Sequence, residues 1–246
     1  MKERVSDGYD PTIAWLNLVL EDVGVERPLG ALTNEHLRRF GKTLESHFFP
    51  GLPEMLRRLG DTVEQYEDIS IEFYIVSSGL RGVVLGTELV TSWFKEVYAC
   101  EFGTDDDGLL VDLKRCVTFT EKTRYLFEIN KGIPFERTRQ NPLLVNSDVP
   151  DENRRIPFRN MIYVGDGLTD IPCFSLVKHG GGVVFGVFDP KRKDKAKRAL
   201  LEFLKPSRVM GAYPPQYGED DPLGTLIDQA VATRCSRILL DREQSY

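Results

Sequence analysis

The stretch Asn160–Phe174, with the sequence NMIYVGDGLTDIPCF, constrains the fold of this chain more than any other. Residues 161–164 are mostly apolar and predict a short buried strand, which ends abruptly at Gly165-Asp166-Gly167. A helix is expected next, because Pro172 is tolerated in the first turn of a helix. Asp166 and Asp170 then lie at the carboxyl end of a strand, an arrangement that suits a hard cation such as Mg²⁺.

Strand and helix patterns alternate along the rest of the chain. Apolar runs at residues 71–76, 96–102 and 183–188 predict strands, and segments with helical spacing separate them. This alternation predicts an α/β fold with a mostly parallel sheet between layers of helices. Two helices come before any recognisable strand, so residues 1–48 are predicted to be a small helical cap and residues 49–246 an α/β core.

Composition excludes several classes of protein. The net charge of −6 argues against a nucleic-acid partner, and the basic run at residues 191–198 is interpreted as a solvated helix face. Apolar runs stay well short of membrane-spanning length, and no signal peptide follows Met1. The four cysteines form no CxxC pair and predict neither zinc nor disulfides. We therefore expect a cytoplasmic protein with no nucleic-acid or membrane partner.

Two further segments place polar groups where ligands bind in such sheets, beyond the carboxyl ends of the strands. The Ser77 hydroxyl and the backbone N–H groups of Ser78 and Gly79 follow a strand and suit an anion. Lys122 is expected in the first turn of a helix, where it opposes the helix dipole and an anionic ligand would explain it. Each residue also has a simpler interpretation when it is taken alone. Ser77 fits a turn or cap residue, and Lys122 fits a solvated lysine. Asp166 and Asp170 fit a turn followed by a helix cap.

In this order the motifs resemble those of the haloacid dehalogenase superfamily, in particular the phosphoserine-phosphatase-like branch with a small helical cap. The likeness covers residues 49–189, and the helices before residue 49 take the place of the cap. It implies that Ser77 binds the phosphoryl group and that Lys122 neutralises charge on it. It also implies that Asp166 ligates Mg²⁺, with Asp170 completing the shell directly, through water or through a hydrogen bond. Substrates in this superfamily are mostly small phosphate monoesters.

The nucleophile of the superfamily is missing from the sequence. It is the first aspartate of an Asp-x-Asp motif, which lies after the first strand and before the cap and forms an aspartyl-phosphate. Here no apolar strand precedes the cap helices. Other acidic positions fail on context: Asp105-Asp106-Asp107 lies in a predicted hairpin turn, residues 219–221 lie in a late acidic loop, and Pro190 follows Asp189. Asp7 and Asp10 have the wrong spacing and no strand before them.

We therefore expect a Mg²⁺-dependent phosphatase by ancestry that is inactive because the nucleophile is missing, and a gene start assigned too far downstream would explain the gap. The alternative is a non-catalytic phosphate- or protein-binding module on the same scaffold. A receiver-like signalling domain fits less well, because it would be about half as long and have no cap. The missing strand would normally lie between the strands ending at Ser77 and Asp166, so its loss should leave two strand edges unpaired.

Overall fold

The computed structural model of the chain describes residues 1–244. The α-helices are α1 (Lys2–Ser6), α2 (Pro11–Glu21), α3 (Asn34–Lys42), α4 (Leu52–Glu64), α5 (Arg81–Val84), α6 (Glu88–Trp93), α7 (Phe119–Lys131), α8 (Phe135–Gln140), α9 (Ile171–His179), α10 (Lys193–Arg198) and α11 (Pro222–Glu243). The strands are β1 (Phe73–Leu80), β2 (Phe94–Thr104), β3 (Leu110–Arg115), β4 (Ile162–Gly165), β5 (Val183–Val187) and β6 (Gly211–Tyr213). Short 3₁₀ turns occur at residues 45–47, 142–146, 151–153, 158–160 and 168–170, and a π-helix at Ala199–Leu204 continues α10.

The chain divides into two compact units. The first contains Met1–His47 and Glu72–Lys122, and the second contains Phe48–Ile71 and Thr123–Tyr246. The first unit thus combines the predicted cap with part of the predicted core. These units are defined by their internal contacts, and the proposed division into a cap of residues 1–48 and a core of residues 49–246 stays a prediction.

The sheet of the first unit has the order β1-β2-β3, in which β1 and β2 are parallel and β3 is antiparallel to β2. Val76 is paired with Tyr98, but the next pair is Leu80 with Cys100. Residues 77–79 therefore bulge out of the ladder, because β1 uses more residues than β2 between these pairs. Val90 of α6 and Val97 and Ala99 of β2 form a buried apolar cluster.

Helix α3 packs closely on α5, the helix that directly follows the bulge. A Cβ atom at Gly41 would lie 2.0 Å from the Val83 carbonyl oxygen, and one at Gly86 would lie 2.2 Å from the Arg38 carbonyl oxygen. Both distances are far below van der Waals contact, so only glycine allows the two backbones to approach this closely. The helices near the amino terminus are thereby attached to the segment that carries Ser77.

The sheet of the second unit has the order β4-β5-β6 and is parallel throughout. Helix α9 and the π-helix pack against each other through Phe174 and Phe203, whose rings meet edge to face at 5.3 Å. Helices α4 and α11 are joined by an ion pair between Arg58 Nε and Asp228 Oδ2 at 2.7 Å. A long aromatic contact also places Tyr163 of β4 against Phe174 at 5.8 Å.

The α/β class predicted from the sequence is confirmed, with two differences. The described strands form two three-stranded sheets instead of one sheet, since within residues 1–244 β1 pairs only with β2 and β4 only with β5. The segment between the first two predicted strands, which was expected to be helical, forms two separate helices, α5 and α6. In the described part of the chain, no helix is both long and apolar enough to cross a membrane.

Candidate functional site

The predicted anion-binding residues Ser77, Ser78 and Gly79 form the bulge of β1. The Gly79 N–H donates to Ser77 Oγ at 3.0 Å, so two of the predicted groups are joined to each other by a hydrogen bond. The Ser78 carbonyl accepts a hydrogen bond from the Cys100 thiol at 3.4 Å. The Ser78 hydroxyl oxygen is buried and has no hydrogen-bond partner in the described part of the chain. An unsatisfied buried hydroxyl is costly, and an incoming acceptor such as a phosphoryl oxygen would satisfy it.

Lys122 belongs to the same compact unit as this bulge. It is in the first turn of α7, as predicted, but only 5% of its surface is exposed. Burial raises the pKa of the Cys100 thiol, whereas a hydrogen bond from the Val117 N–H and the positive charge of Lys122 lower that pKa. Cys100 also donates to the Ser78 carbonyl, so this thiol is in contact with the bulge. The predicted serine and lysine segments thus belong to the same compact unit, and their joint role stays a prediction.

In the second unit, Asp166 and Asp170 play different parts. The carboxylate of Asp170 is buried and uses both oxygens inside the protein: Tyr163 Oη donates to Oδ1 at 2.8 Å and the Gly167 N–H donates to Oδ2 at 2.9 Å. Asp166 is exposed at the tip of the loop that these bonds hold. Asp170 is thus a positioning residue for the loop, and Asp166 is the carboxylate that the loop presents.

Gly165 is required at the end of β4 by the same arrangement. A Cβ atom there would lie 2.8 Å from Asp170 Cγ, which is closer than such atoms approach. Without a side chain at Gly165, Asp170 can lie under the loop and reach the Gly167 N–H. The glycine that ends the strand in the sequence therefore makes room for the buried carboxylate.

Tyr163 was not predicted to belong to this site, because in the sequence it is one more residue of a buried strand. Burial and the neighbouring charge of Asp170 raise its pKa well above the usual range, so its hydroxyl stays a proton donor. A buried tyrosine hydroxyl needs a hydrogen-bond acceptor. The only hint of this pair in the sequence was a carboxylate, Asp170, seven residues after the tyrosine.

Replacing Tyr163 by phenylalanine should lower the free energy of unfolding by about 1–3 kcal/mol, because the charged Asp170 Oδ1 would lose a buried donor. Urea unfolding followed by circular dichroism measures this loss. Tyr66→Phe is the matched control, because residue 66 lies in a turn after α4, and it should change stability by less than about 0.5 kcal/mol. Equal stability of the Tyr163→Phe variant and the parent chain would contradict the proposed role of the hydroxyl.

Tyr217 is a second unpredicted neighbour of the Asp166 loop. Its side chain is buried, and burial together with the negative charge of Asp166 raises its pKa to about 12. Its backbone N–H donates to the Pro50 carbonyl at 2.8 Å, which ties the loop before α11 to the loop before α4. Tyr217 lies in a segment rich in proline, glycine and acidic residues, and no sequence pattern pointed to it.

The aspartates rejected as nucleophiles on sequence context have local structural roles. Asp10 Oδ1 caps α2 by accepting from the Thr12 N–H at 2.7 Å. Asp105 Oδ1 accepts from the Leu109 N–H at 2.8 Å inside the turn between β2 and β3, where a hairpin was predicted. The carboxylates of Asp189 and Asp221 likewise accept backbone N–H groups two and three residues away, at 2.9 and 3.0 Å.

The Asp166 loop could supply only one or two of the ligands that a magnesium ion needs. No group of three or more His, Cys, Asp or Glu residues that could hold a metal ion occurs within residues 1–244. Magnesium, however, is commonly held by one or two carboxylates together with water and substrate phosphate. Asp166 is exposed and fits that pattern. Asp170 accepts a hydrogen bond at each oxygen and, since a carboxylate oxygen has more than one lone pair, it would complete the shell directly, through water or through a hydrogen bond.

The chain matches no protein-family model. It is similar to an uncharacterized protein of Borreliella burgdorferi, with 32% identity over 165 residues. The match covers 61% of this chain and 54% of that protein, so the chain spans about half the length of its relative. Because that protein is uncharacterized, the similarity indicates neither an activity nor a ligand.

Proposed function

We propose that this chain is by ancestry a Mg²⁺-dependent phosphatase of the haloacid dehalogenase type, with a small phosphate monoester as substrate. The observation that carries the proposal is the buried Ser78 hydroxyl of the β1 bulge, which has no hydrogen-bond partner within residues 1–244 and lies in the same compact unit as the buried Lys122. A hydroxyl donor and an ammonium group are the chemistry that a phosphoryl group requires. The order of the motifs in the sequence supports the same assignment.

Each predicted residue has a role that follows from its own surroundings. Ser77 accepts from the Gly79 N–H, which leaves its hydroxyl proton available for donation to a phosphoryl oxygen. Lys122 would offset negative charge on the bound group. Asp166 would contribute one carboxylate to Mg²⁺, an ion that neutralises charge on phosphoryl oxygens in the superfamily that the motifs resemble. Asp170 would keep the Asp166 loop in place.

The second candidate function is a non-catalytic phosphate- or protein-binding module on the same scaffold. It is favoured by the local roles of Asp10, Asp105, Asp189 and Asp221, whose carboxylates cap turns and helices. Such a module would bind phosphate without hydrolysing a phosphate ester. Assaying the chain together with any coding sequence that lies in frame upstream of Met1 separates the two candidates, because only the phosphatase would then show turnover.

We expect the chain of 246 residues to bind inorganic phosphate more tightly with Mg²⁺ than without it, and to show no turnover of p-nitrophenyl phosphate. Isothermal titration calorimetry should show about tenfold weaker phosphate binding for Lys122→Met, because one charged contact is lost. Asp166→Asn should abolish the effect of Mg²⁺. Lys114→Met removes an exposed lysine of β3 and should leave binding unchanged.

Two results would contradict these expectations. Phosphate binding that is insensitive to both Mg²⁺ and Lys122→Met would refute the proposed site. Robust Mg²⁺-dependent turnover of p-nitrophenyl phosphate, lost in Asp166→Ala, would instead show that the chain contains a nucleophile and is active as it stands.

A further inference from the structure

The outer face of α10 and the π-helix carries lysines at one end and leucines at the other. Lys193 and Lys197 are exposed on α10, and Leu200, Leu201 and Leu204 follow on the π-helix with 56%, 40% and 37% of their surface exposed. The spacing of Lys193, Lys197, Leu200 and Leu204 places them along one side of a helix. We call Lys193, Lys197, Leu200, Leu201 and Leu204 the outer stripe.

The inner face of the same helix is committed to the protein core. Ala199 and Phe203 are each only 1% exposed, and the Phe203 ring packs on Phe174. The Lys205 N–H bonds to the Leu200 carbonyl at 2.9 Å, a span of five residues that is typical of a π-helix. The contacts of the inner face fix the orientation of the helix. The leucines of the outer stripe therefore face solvent and contribute little to the core.

Positive charge is concentrated around the outer stripe. Residues 191–208 contain eight basic and two acidic side chains, whereas the whole chain has a net charge of −6. Both acidic residues are paired within this segment: Asp194 bonds to Arg192 at 3.0 Å and Glu202 lies 3.5 Å from Arg208. The remaining charge therefore forms a basic region on an otherwise acidic protein.

We propose that the outer stripe docks the protein on an anionic lipid membrane. Anionic headgroups complement the lysines, and the boundary between headgroups and acyl chains accommodates the exposed leucines, as it does for amphipathic helices that lie on membranes. Nucleic acid would satisfy the charge but gives the leucines nothing to contact. An acidic peptide would need a groove, whereas the outer stripe is the solvent side of a surface helix.

This proposal is independent of the phosphate site, since the outer stripe contains none of its residues. It replaces the expectation of no membrane partner, which considered only segments that span the bilayer. Binding to a membrane surface requires no spanning helix.

Sedimentation of the full chain with lipid vesicles tests the proposal. At low salt the protein should pellet with phosphatidylcholine vesicles that contain about 30% phosphatidylserine, and should stay in solution with pure phosphatidylcholine. Lys193→Glu/Lys197→Glu should lower the partition coefficient about tenfold or more. Leu200→Ser/Leu204→Ser should lower it about fivefold, because less apolar surface would be buried.

Two control variants change exposed lysines or an exposed leucine elsewhere. Lys42→Glu/Lys114→Glu matches the change in net charge, and Leu143→Ser removes a leucine that is 73% exposed. Both should bind anionic vesicles like the parent chain, and circular dichroism of all variants verifies that they fold. Absence of vesicle binding by the parent chain would overturn the proposal, as would full binding by Leu200→Ser/Leu204→Ser. Equal losses in the charge control would overturn it too, and so would binding to duplex DNA but not to vesicles.

Discussion

Replacing Glu128 by alanine should lower the free energy of unfolding by about 3–5 kcal/mol, because it removes one member of a buried ion pair. Glu128 is completely buried in α7, where Oε1 lies 3.0 Å from Arg124 Nη2 and Oε2 accepts from Thr138 Oγ1 at 2.7 Å. The substitution would leave the Arg124 charge without this counter-ion and Thr138 without this acceptor. Urea unfolding followed by tryptophan fluorescence measures the effect.

The loss should also loosen the segment after α7, because Thr138 lies in α8 at the start of residues 134–158. Hydrogen exchange in this segment should become faster, since Glu128 joins α8 to α7. Glu136→Ala is the control, because Glu136 is an exposed carboxylate on α8 itself. The prediction fails if Glu128→Ala costs no more stability than Glu136→Ala.

Asp170→Ala should have the next largest effect, a loss of about 2–4 kcal/mol in the free energy of unfolding. The carboxylate is only 4% exposed, and its removal leaves the Tyr163 hydroxyl and the Gly167 N–H without these acceptors. The loop that presents Asp166 would lose the bonds that hold it. We therefore also expect Mg²⁺ to stop strengthening phosphate binding in this variant, although Asp166 remains.

Asp170→Asn distinguishes the shape of the side chain from its charge. The amide keeps one oxygen acceptor, so this variant should lose less stability than Asp170→Ala. Asp148→Ala, at an exposed acidic position outside the loop, should change neither stability nor the response to Mg²⁺. Unchanged amide exchange at residues 165–167 in Asp170→Ala would show that the carboxylate does not organise the loop.

Features set by neighbouring residues could be predicted from the sequence. The strand before Gly165, the helix that admits Pro172 in its first turn and the hairpin turn at Asp105 are all described as expected. In each case the signal and the structure it specifies lie within a few residues, since strands and turns are recognised by short patterns of apolar and turn-forming residues.

Features set by distant residues could not be predicted. β1 was expected to end at Val76, but it continues past the bulge because Leu80 pairs again with Cys100 on β2. The sequence indicated Lys122 as a helix-start residue and gave no sign of its burial. Asp170 was expected to help hold a metal, which stays a prediction, but no local pattern indicated that a strand tyrosine and a loop amide donate to its oxygens. Each outcome depends on packing between segments, which the local pattern does not contain.

The close contact between α3 and α5 also limits how this protein can diverge. Any side chain at Gly41 or Gly86 would collide with a backbone carbonyl of the facing segment. Neither glycine can therefore be replaced unless the two backbones move apart. Because α5 follows the Ser77 bulge directly, such a movement would reach the residues proposed to hold phosphate. Natural selection is therefore expected to keep both glycines, and to let variation accumulate at solvent-facing positions of α3 such as Glu35 and Arg39.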